Sequence, residues 1–537
     1  MRFRKILSAL GQVYPAGLLL LASLPLLLGY GYKPELVEGR EWAIVLAWIP
    51  VFTLPSLYFR RRIFYYVGCV LFFFAGVLEI AHWVILQGPI TITSLVAIVN
   101  TTSSESMEFM QLRAGKGLLL LLPYTGVFLF SLRSTISYQK KPMERIIFVL
   151  TAIYSLVFIG ENAWNQRLVR KGVPHIAKVG GALYDQMQAF AEVIKEVHPT
   201  PVKATAAWKG QQVFVLILGE SCSRNHMSLY GYRRTTNPKL GARPDLWVFE
   251  DVVAPYSNTM SSVLTILSDA SLDHPKPIQE RIDVLDVMHA AGFKTYWISN
   301  QSSIGIWDNM IALFAKKADV TQFVNTTGNS SFESTYTISY DEKLLPPLVK
   351  ALKDPAAKKF IVLHLMGNHM AYAKRYPKAY AVFEGREGKE KIIAQYDNSM
   401  RYNDAVVDSL FTVLQTYARE NSTQVVSALY VSDHGENLWD EGEHVGHDYS
   451  GVLPHANVEI PFILWHSEGW ESAFPGRDSV LKARLDAPYV TDDLFHTLID
   501  LNAVKTPIFD RTKSIVHPSL DRSRRRVLED GRDYDAR

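Results

Sequence analysis

The chain has 537 residues, 48% of them hydrophobic and 20% charged, with a formal net charge of +3. That charge is too small to argue for nucleic acid, and no basic block interleaved with aromatics occurs. The averages join two unlike parts: long apolar runs fill the first 160 residues, and the remainder reads as a soluble α/β protein.

Five apolar segments suit a bilayer crossing, which takes about 20 residues each. They are Tyr14–Tyr30, Trp42–Phe59, Ile63–Leu86, Gly117–Leu132 and Ile146–Gly160, the last two being short. One such run could be a buried helix of a soluble protein, but five clustered together predict a transmembrane domain over 1–160. Arg2, Arg4 and Lys5 precede the first span, Arg60, Arg61 and Arg62 separate the second and third, and Lys140, Lys141 and Arg145 precede the fifth. Loops on the other side carry Glu35, Glu38 and Glu41. Basic residues favour the cytoplasmic side, so the N-terminus is expected inside and everything after the fifth span outside, with Arg113 and Lys116 against the trend. The loop 87–116 is partly amphipathic and is expected at the outer membrane surface.

Residues 161–210 read as a linker containing an amphipathic helix, and 211–537 as the outer domain. There, strand-like runs ("QQVFVLIL", "VFEDVVAP", "FKTYWISN", "KKFIVLHLM", "VVSALYVSD", "EIPFILWHS") alternate with helical patterns, among them Ile278–Ala291 and Lys391–Arg419. This alternation predicts a mostly parallel central sheet covered by helices on both faces, with functional groups beyond the strands' C-terminal ends. The two cysteines, Cys69 in the third span and Cys222 in the outer domain, allow no disulfide within that domain.

"LILGESCSRN" looks at first like a nucleophile turn, with Ser221 or Cys222 just after a strand and a glycine. Other chemistry-bearing residues gather at the same predicted edge. Glu220 follows the first strand, Tyr256 to Thr259 the second, His364 lies in the fourth with Asn368 and His369 just after it, and Asp433, His434 and Glu436 follow the fifth, with His444 and His447 soon after. Taken singly each has a bland reading: a helix-start carboxylate, a core histidine, a turn in "SDHGE". Together they match the oxygen and nitrogen ligands that zinc favours, and so a metal-assisted phosphoryl or sulfuryl transfer.

The stretches "GESCSRNHMSLYGYRRTTNP", "HLMGNHMAYAKRYP", "YDNSMRYND" and "YVSDHGENLWDEG" resemble the phosphoethanolamine transferases of the Gram-negative inner membrane, over nearly the whole chain. The resemblance implies a five-helix transmembrane bundle joined to an alkaline-phosphatase/sulfatase-like periplasmic domain. It implies zinc held by Glu220, Thr259, Asp433 and His434, with Thr259 as nucleophile and His369 and His447 as catalytic histidines. His444 remains the alternative to His447. Thr101, Glu105, His364 and Asn368 are the implied substrate-binding residues, though a third polar loop position of the family falls on Ala97. The implied donor is phosphatidylethanolamine, and the acceptor lipid A, a lipopolysaccharide core sugar or a periplasmic glycan.

Two alternatives stand beside this reading. A lipoteichoic-acid-synthase-like enzyme would move glycerol phosphate on the same fold, and a non-catalytic membrane scaffold would bind glycans. A true sulfatase is excluded, since Cys222 lacks the C/S-x-P-x-R context that formylglycine formation needs.

Overall fold

The computed structural model describes residues 10–86 apart from 35, 36 and 38, then 88–90, 94–95, 116–133, 142–165, 168, 172–184, and 201–536 apart from 303–310, 312–313, 326–337 and 450. Thr101 and Glu105 lie outside the described residues, as does Ala97. The chain divides into two units, and each is described by itself.

The first unit is a set of apolar helices: α1 (Ala16–Tyr32), α2 (Arg40–Phe59), α3 (Ile63–Leu86), α4 (Leu121–Arg133) and α5 (Pro142–Trp164). Three segments, Arg40–Phe59, Ile63–Ile85 and Arg145–Trp164, are long and apolar enough to cross a membrane, and Ala16–Tyr32 and Gly117–Arg133 are shorter apolar helices. The fifth helix begins earlier than its hydropathy suggests, because Pro142 suits a first helical turn, where its missing N–H has no partner to lose. Close packing relies on small residues: a side chain at Gly29 would overlap the Trp83 ring, and one at Gly76 the Tyr124 hydroxyl. Tyr124 spends that hydroxyl on the carbonyls of Leu21 (2.8 Å) and Phe72 (2.9 Å), so its polar tip is satisfied inside the bundle.

The second unit is built on a seven-stranded sheet of β1 (Gln212–Gly219), β2 (Leu246–Phe249), β3 (Lys294–Ser302), β4 (Val320–Asn325), β5 (Lys358–His364), β6 (Val425–Ser432) and β7 (Phe462–His466). The spatial order is β2-β7-β6-β1-β5-β3-β4. Only the pairs made by β7 are antiparallel. The central strands are buried on both faces, which is why they read as continuous apolar runs. On one face Val213, Val215 and Ile217 pack with Leu410, Phe411 and Leu414 of α9 (Gly388–Glu420) and with Leu348 and Leu352 of α8 (Leu345–Leu352). On the other, Phe214 stacks on Phe360 with ring centroids 5.5 Å apart.

Three details depart from the sequence reading. The run "VFEDVVAP" is broken: β2 stops at Phe249, and Val252–Val253 pairs instead with Tyr489–Val490. The helix expected over Ile278–Ala291 is confined to α7 (Val284–Ala290), because the Asp283 side chain caps it by accepting from the Asp286 N–H at 3.0 Å. Edge strand β4 had no sequence expectation; most of its residues are half-buried or exposed, so it lacks a buried strand's apolar run.

Candidate active site

Strand register brings the first carboxylates together. In the parallel β1–β6 pair, Leu218 faces Val431 and Gly219 faces Ser432, so the next residues, Glu220 and Asp433, emerge side by side. The Asp433 N–H still donates to the Gly219 carbonyl at 3.2 Å, which continues the ladder one step. Gly219 has no room for a side chain, since a Cβ would lie 3.0 Å from the Tyr430 ring. On the other side of β1, Gly367 follows β5 with φ +51°, and a Cβ there would lie 2.7 Å from the Glu220 carbonyl oxygen. That glycine is required twice over, by its left-handed backbone and by the close approach.

The residues of the apparent nucleophile turn are committed elsewhere. Ser221 is fully buried at φ +52°, with its Oγ donating to Glu220 Oε1 (2.8 Å) and its N–H to Asp433 Oδ1 (3.1 Å). Its carbonyl accepts from the Tyr396 hydroxyl at 2.7 Å. Cys222 packs its sulfur 3.4 Å from that of Met400, and burial pushes its thiol up to about 12. The turn orients Glu220 and presents no nucleophile of its own.

The remaining hydroxyl comes from half-buried Thr259 at the start of α6 (Thr259–Ile266), whose N-cap Asn258 accepts from the Ser261 N–H at 3.0 Å. Thr259, the first residue of that helix, places Oγ1 3.1 and 3.0 Å from the two oxygens of Glu220 and 3.3 Å from His434 Nε2. Ser262, one turn on, donates to the Asp433 carbonyl at 2.5 Å and pins the helix to the β6 end. The ligand atoms of Glu220, Asp433 and His434 lie within 4.8 Å of one another.

This donor set fits a zinc-class cation. His434 Nδ1 donates to the Gly435 carbonyl at 2.7 Å, which leaves Nε2 facing Glu220 Oε1 at 3.3 Å. Asp433 Oδ2 is buried and accepts no hydrogen bond among the described residues. The electrostatics agree. Burial alone would lower His434, but Asp433 and Glu220 raise it to about 10. Asp433 is pushed up to about 7 by burial and by the Glu220 charge. Burial opposes ionisation of Glu220, yet His434, His369 and Ser221 hold it well below the usual carboxylate range. The cluster therefore demands a positive charge between its carboxylates, and a bound metal would take over from the His434 Nε2 proton.

A second group borders the first. His447 Nδ1 lies 2.8 Å from Glu436 Oε2, and its ring centroid is 4.7 Å from that of His434. His434, Glu436 and His447 form a second cluster of possible metal ligands. Tyr372 donates a short hydrogen bond to the other Glu436 oxygen. The structure thus brings His447 to the site, whereas no metal-ligand cluster among the described residues includes His444.

The remaining expected residues are spread more widely. His369 follows the Gly367 turn, half-buried, and its charge is felt by Glu220. His364 is buried at the end of β5, edge-on to Trp297 with centroids 5.8 Å apart, and burial lowers it to about 4, so it is a neutral core histidine. Asn368 turns its amide to Ser399 Oγ (2.7 Å) and is fully buried, while its N–H donates to the Glu220 carbonyl at 2.9 Å. Its backbone thereby supports Glu220. Three site neighbours had no sequence expectation. Gln301 donates to Glu220 Oε2 at 3.3 Å, Tyr372 holds Glu436, and Glu529 accepts from both the N–H (3.0 Å) and Oγ (2.6 Å) of Ser257. Gln301 sits in β3 next to β5, so only the strand order could have revealed it.

Residues 212–503 match the Sulfatase family model, which is over half the chain. Phosphoethanolamine transferase EptC of Escherichia coli (strain K12) is 29% identical, over 92% of this chain and 88% of that protein. The crystal structure of the C-terminal periplasmic domain of Escherichia coli EptC in complex with Zn is 29% identical, covering 63% of this chain and 96% of that one at a TM-score of 0.56. The integral membrane lipooligosaccharide phosphoethanolamine transferase EptA of Neisseria meningitidis shares the fold across 92% of this chain and 96% of that one, at 20% identity and a TM-score of 0.65. With a sulfatase-type sheet, a metal-ligand cluster at its C-terminal edge and a family match over residues 212–503, the chain belongs to the sulfatase family, and it is similar to phosphoethanolamine transferases along most of its length.

Proposed function

We propose that this chain transfers phosphoethanolamine from phosphatidylethanolamine to a cell-envelope acceptor, through a covalent phosphoethanolamine–Thr259 intermediate. The acceptor class is lipid A, a lipopolysaccharide core sugar or a periplasmic glycan. The membrane unit sits in the inner membrane with its N-terminus cytoplasmic, and the second unit works in the periplasm, as the name of the solved EptC domain says of that protein. The observation that carries the reading is the Thr259 hydroxyl, 3.0–3.3 Å from Glu220 and His434 at the start of a helix pinned to the sheet edge.

Glu220, Asp433, His434 and Thr259 would hold a zinc ion, which when bound favours the threonine alkoxide and offsets charge on the phosphoryl group. In the first step a Thr259 Oγ1–phosphorus bond forms as the bond from phosphorus to the diacylglycerol oxygen breaks. The proton that Thr259 gives up balances the one the diacylglycerol oxygen takes. His447 is suited to deliver that proton: burial works against its charge, but Glu436 outweighs it and raises the imidazole. Tyr372 fixes Glu436, so the imidazole has one preferred direction. In the second step an acceptor hydroxyl bonds to phosphorus, the Thr259 ester breaks, and Thr259 regains a proton equal to the one the acceptor loses. Half-buried His369 would donate to a non-bridging oxygen.

Mass spectrometry of envelope lipids and glycans, from cells with and without the protein, tests this reading. A gain of one phosphoethanolamine on a single acceptor class is expected, and Thr259→Ala abolishes it. Transfer retained by Thr259→Ala overturns the nucleophile assignment.

A further inference from the structure

A hairpin over 527–533 reaches back to the segment that precedes Thr259. Val527 bridges Asp533, Leu528 N–H donates to the Arg532 carbonyl at 2.8 Å, and Gly531 turns the chain at φ +81°. The hairpin is anchored by Arg526 on Asp251 (2.6 Å), by Tyr534 on Glu459, and by buried Leu528 packed with Leu453 and Val458. At its tip the Glu529 N–H donates to the Pro255 carbonyl at 3.0 Å. Its Oε1 takes both the N–H and the hydroxyl of Ser257, two residues before Thr259. Neighbouring Asp530 is consumed by Arg532 (2.5 Å) and the Leu453 N–H (3.3 Å); the His434 charge reaches Glu529, but no salt bridge to Glu529 occurs among the described residues.

A carboxylate beside a phosphoryl-handling turn repels the phosphate it must admit. That repulsion is offset if the substrate carries its own cation. Glu529 Oε1 is committed to Ser257, so Oε2 is the oxygen left to meet one. Tyr449, packed against the Leu453, Val458 and Leu528 cluster, and Tyr256, next to Ser257, are aromatic neighbours of the kind that favour ammonium groups. Both tyrosines feel the Glu529 charge, which helps to raise each.

We propose that Glu529 is an ammonium subsite, receiving the amine of the group esterified to Thr259 and selecting an aminoalkyl phosphate over an uncharged one. This inference rests on the transfer reading above for the identity of the ester. A purely structural Glu529 would be replaced without loss by glutamine, whose oxygen can still accept from Ser257.

The test compares two probes on the full zinc-loaded chain in detergent, by isothermal titration calorimetry. O-phosphoethanolamine and propyl phosphate differ in an ammonium replaced by a methyl. Wild type should favour phosphoethanolamine at least tenfold, and Thr259→Ala should keep that ratio. Glu529→Gln should bring the ratio close to one by weakening phosphoethanolamine alone, and Glu529→Asp, which keeps the charge, should restore part of it. The proposal is overturned if wild type shows no preference, or if Glu529→Gln retains it. Failure of the transfer reading looks different: the preference would persist while no acceptor gained mass.

Discussion

His434 and His226 are both buried imidazoles set between two carboxylates, and both are raised, to about 10 and about 9. Their surroundings separate chemistry from architecture. His226 Nδ1 meets Asp397 Oδ1 at 2.7 Å and its Nε2 meets Asp440 Oδ1 at 3.3 Å. The second Asp397 oxygen is taken by Arg234 (2.7 Å) and the Tyr232 hydroxyl (3.0 Å). Every charge in that cluster is answered, so it works as a latch joining "SRNHMSLYGYRR", "YDNSM" and "NLWDEG". Around His434 the account does not close: Asp433 Oδ2 accepts nothing among the described residues, and a threonine hydroxyl stands 3.3 Å from Nε2. An incompletely satisfied cluster with an adjacent hydroxyl is suited to a metal and a substrate; a satisfied one holds the fold together.

The sharpest way to break this contrast is at the hydroxyl. Thr259→Ala should lower transfer by at least about a thousandfold, as expected when a nucleophile is lost, while thermal denaturation stays close to wild type. The next test is metal content. Asp433→Asn should cut bound zinc and activity by about a hundredfold or more, whereas His226→Gln should leave zinc stoichiometry unchanged in elemental analysis. Equal zinc loss in both variants would erase the distinction between the clusters. A smaller effect is expected at the bordering group: His447→Gln should cost about a hundredfold in rate, in the range for a lost general acid, and His444→Gln markedly less.

The last effect falls on the latch, away from the transfer reaction, and appears as pH-dependent stability. Burial alone would lower His226, but Asp397 and Asp440 raise it from 6.5 to about 9 in the folded state. Its contribution is therefore fully present below pH 6.5 and is lost as pH rises through about 9. The loss over that window is on the order of 3 kcal/mol, at about 1.4 kcal/mol per pH unit. Denaturant melts at pH 6 and pH 9.5 should show it, and His226→Gln should flatten it. An unchanged pH dependence in His226→Gln would show that His226 is not the titrating latch.

How much of this was legible in the sequence depended on where each partner lies. Glu220 and Asp433 could be read because both directly follow apolar strands, and parallel register then places them side by side. Thr259 could not be derived from pattern alone among Ser257, Ser261 and Ser262, and came from the resemblance. The backbone then distinguishes them: Ser257 is spent on Glu529, Ser262 is buried on Asp433, and Thr259 is left at the helix start facing Glu220. Asn368 and His364 look like site residues by proximity to "GNH", yet the end of β5 puts His364 against Trp297, and the turn after it puts the Asn368 amide on Ser399. Glu529 and Tyr372 were silent because a single acidic or aromatic residue far along the chain carries no periodic signal. Only the closed fold brings Glu529 to a partner 272 residues away. In the membrane unit, hydropathy found the five apolar helices named above but not their ends, which proline and the polar flanks decide.

The central claim is a covalent phosphoethanolamine ester on Thr259. The full chain, loaded with zinc and incubated with phosphatidylethanolamine in the absence of acceptor, can be quenched, digested and sequenced by tandem mass spectrometry. The account predicts one phosphoethanolamine on the peptide containing Thr259, localised to that residue and absent from Thr259→Ala. The same group found on Ser221, or transfer to an added acceptor with no modified peptide detectable at any stage, would contradict it.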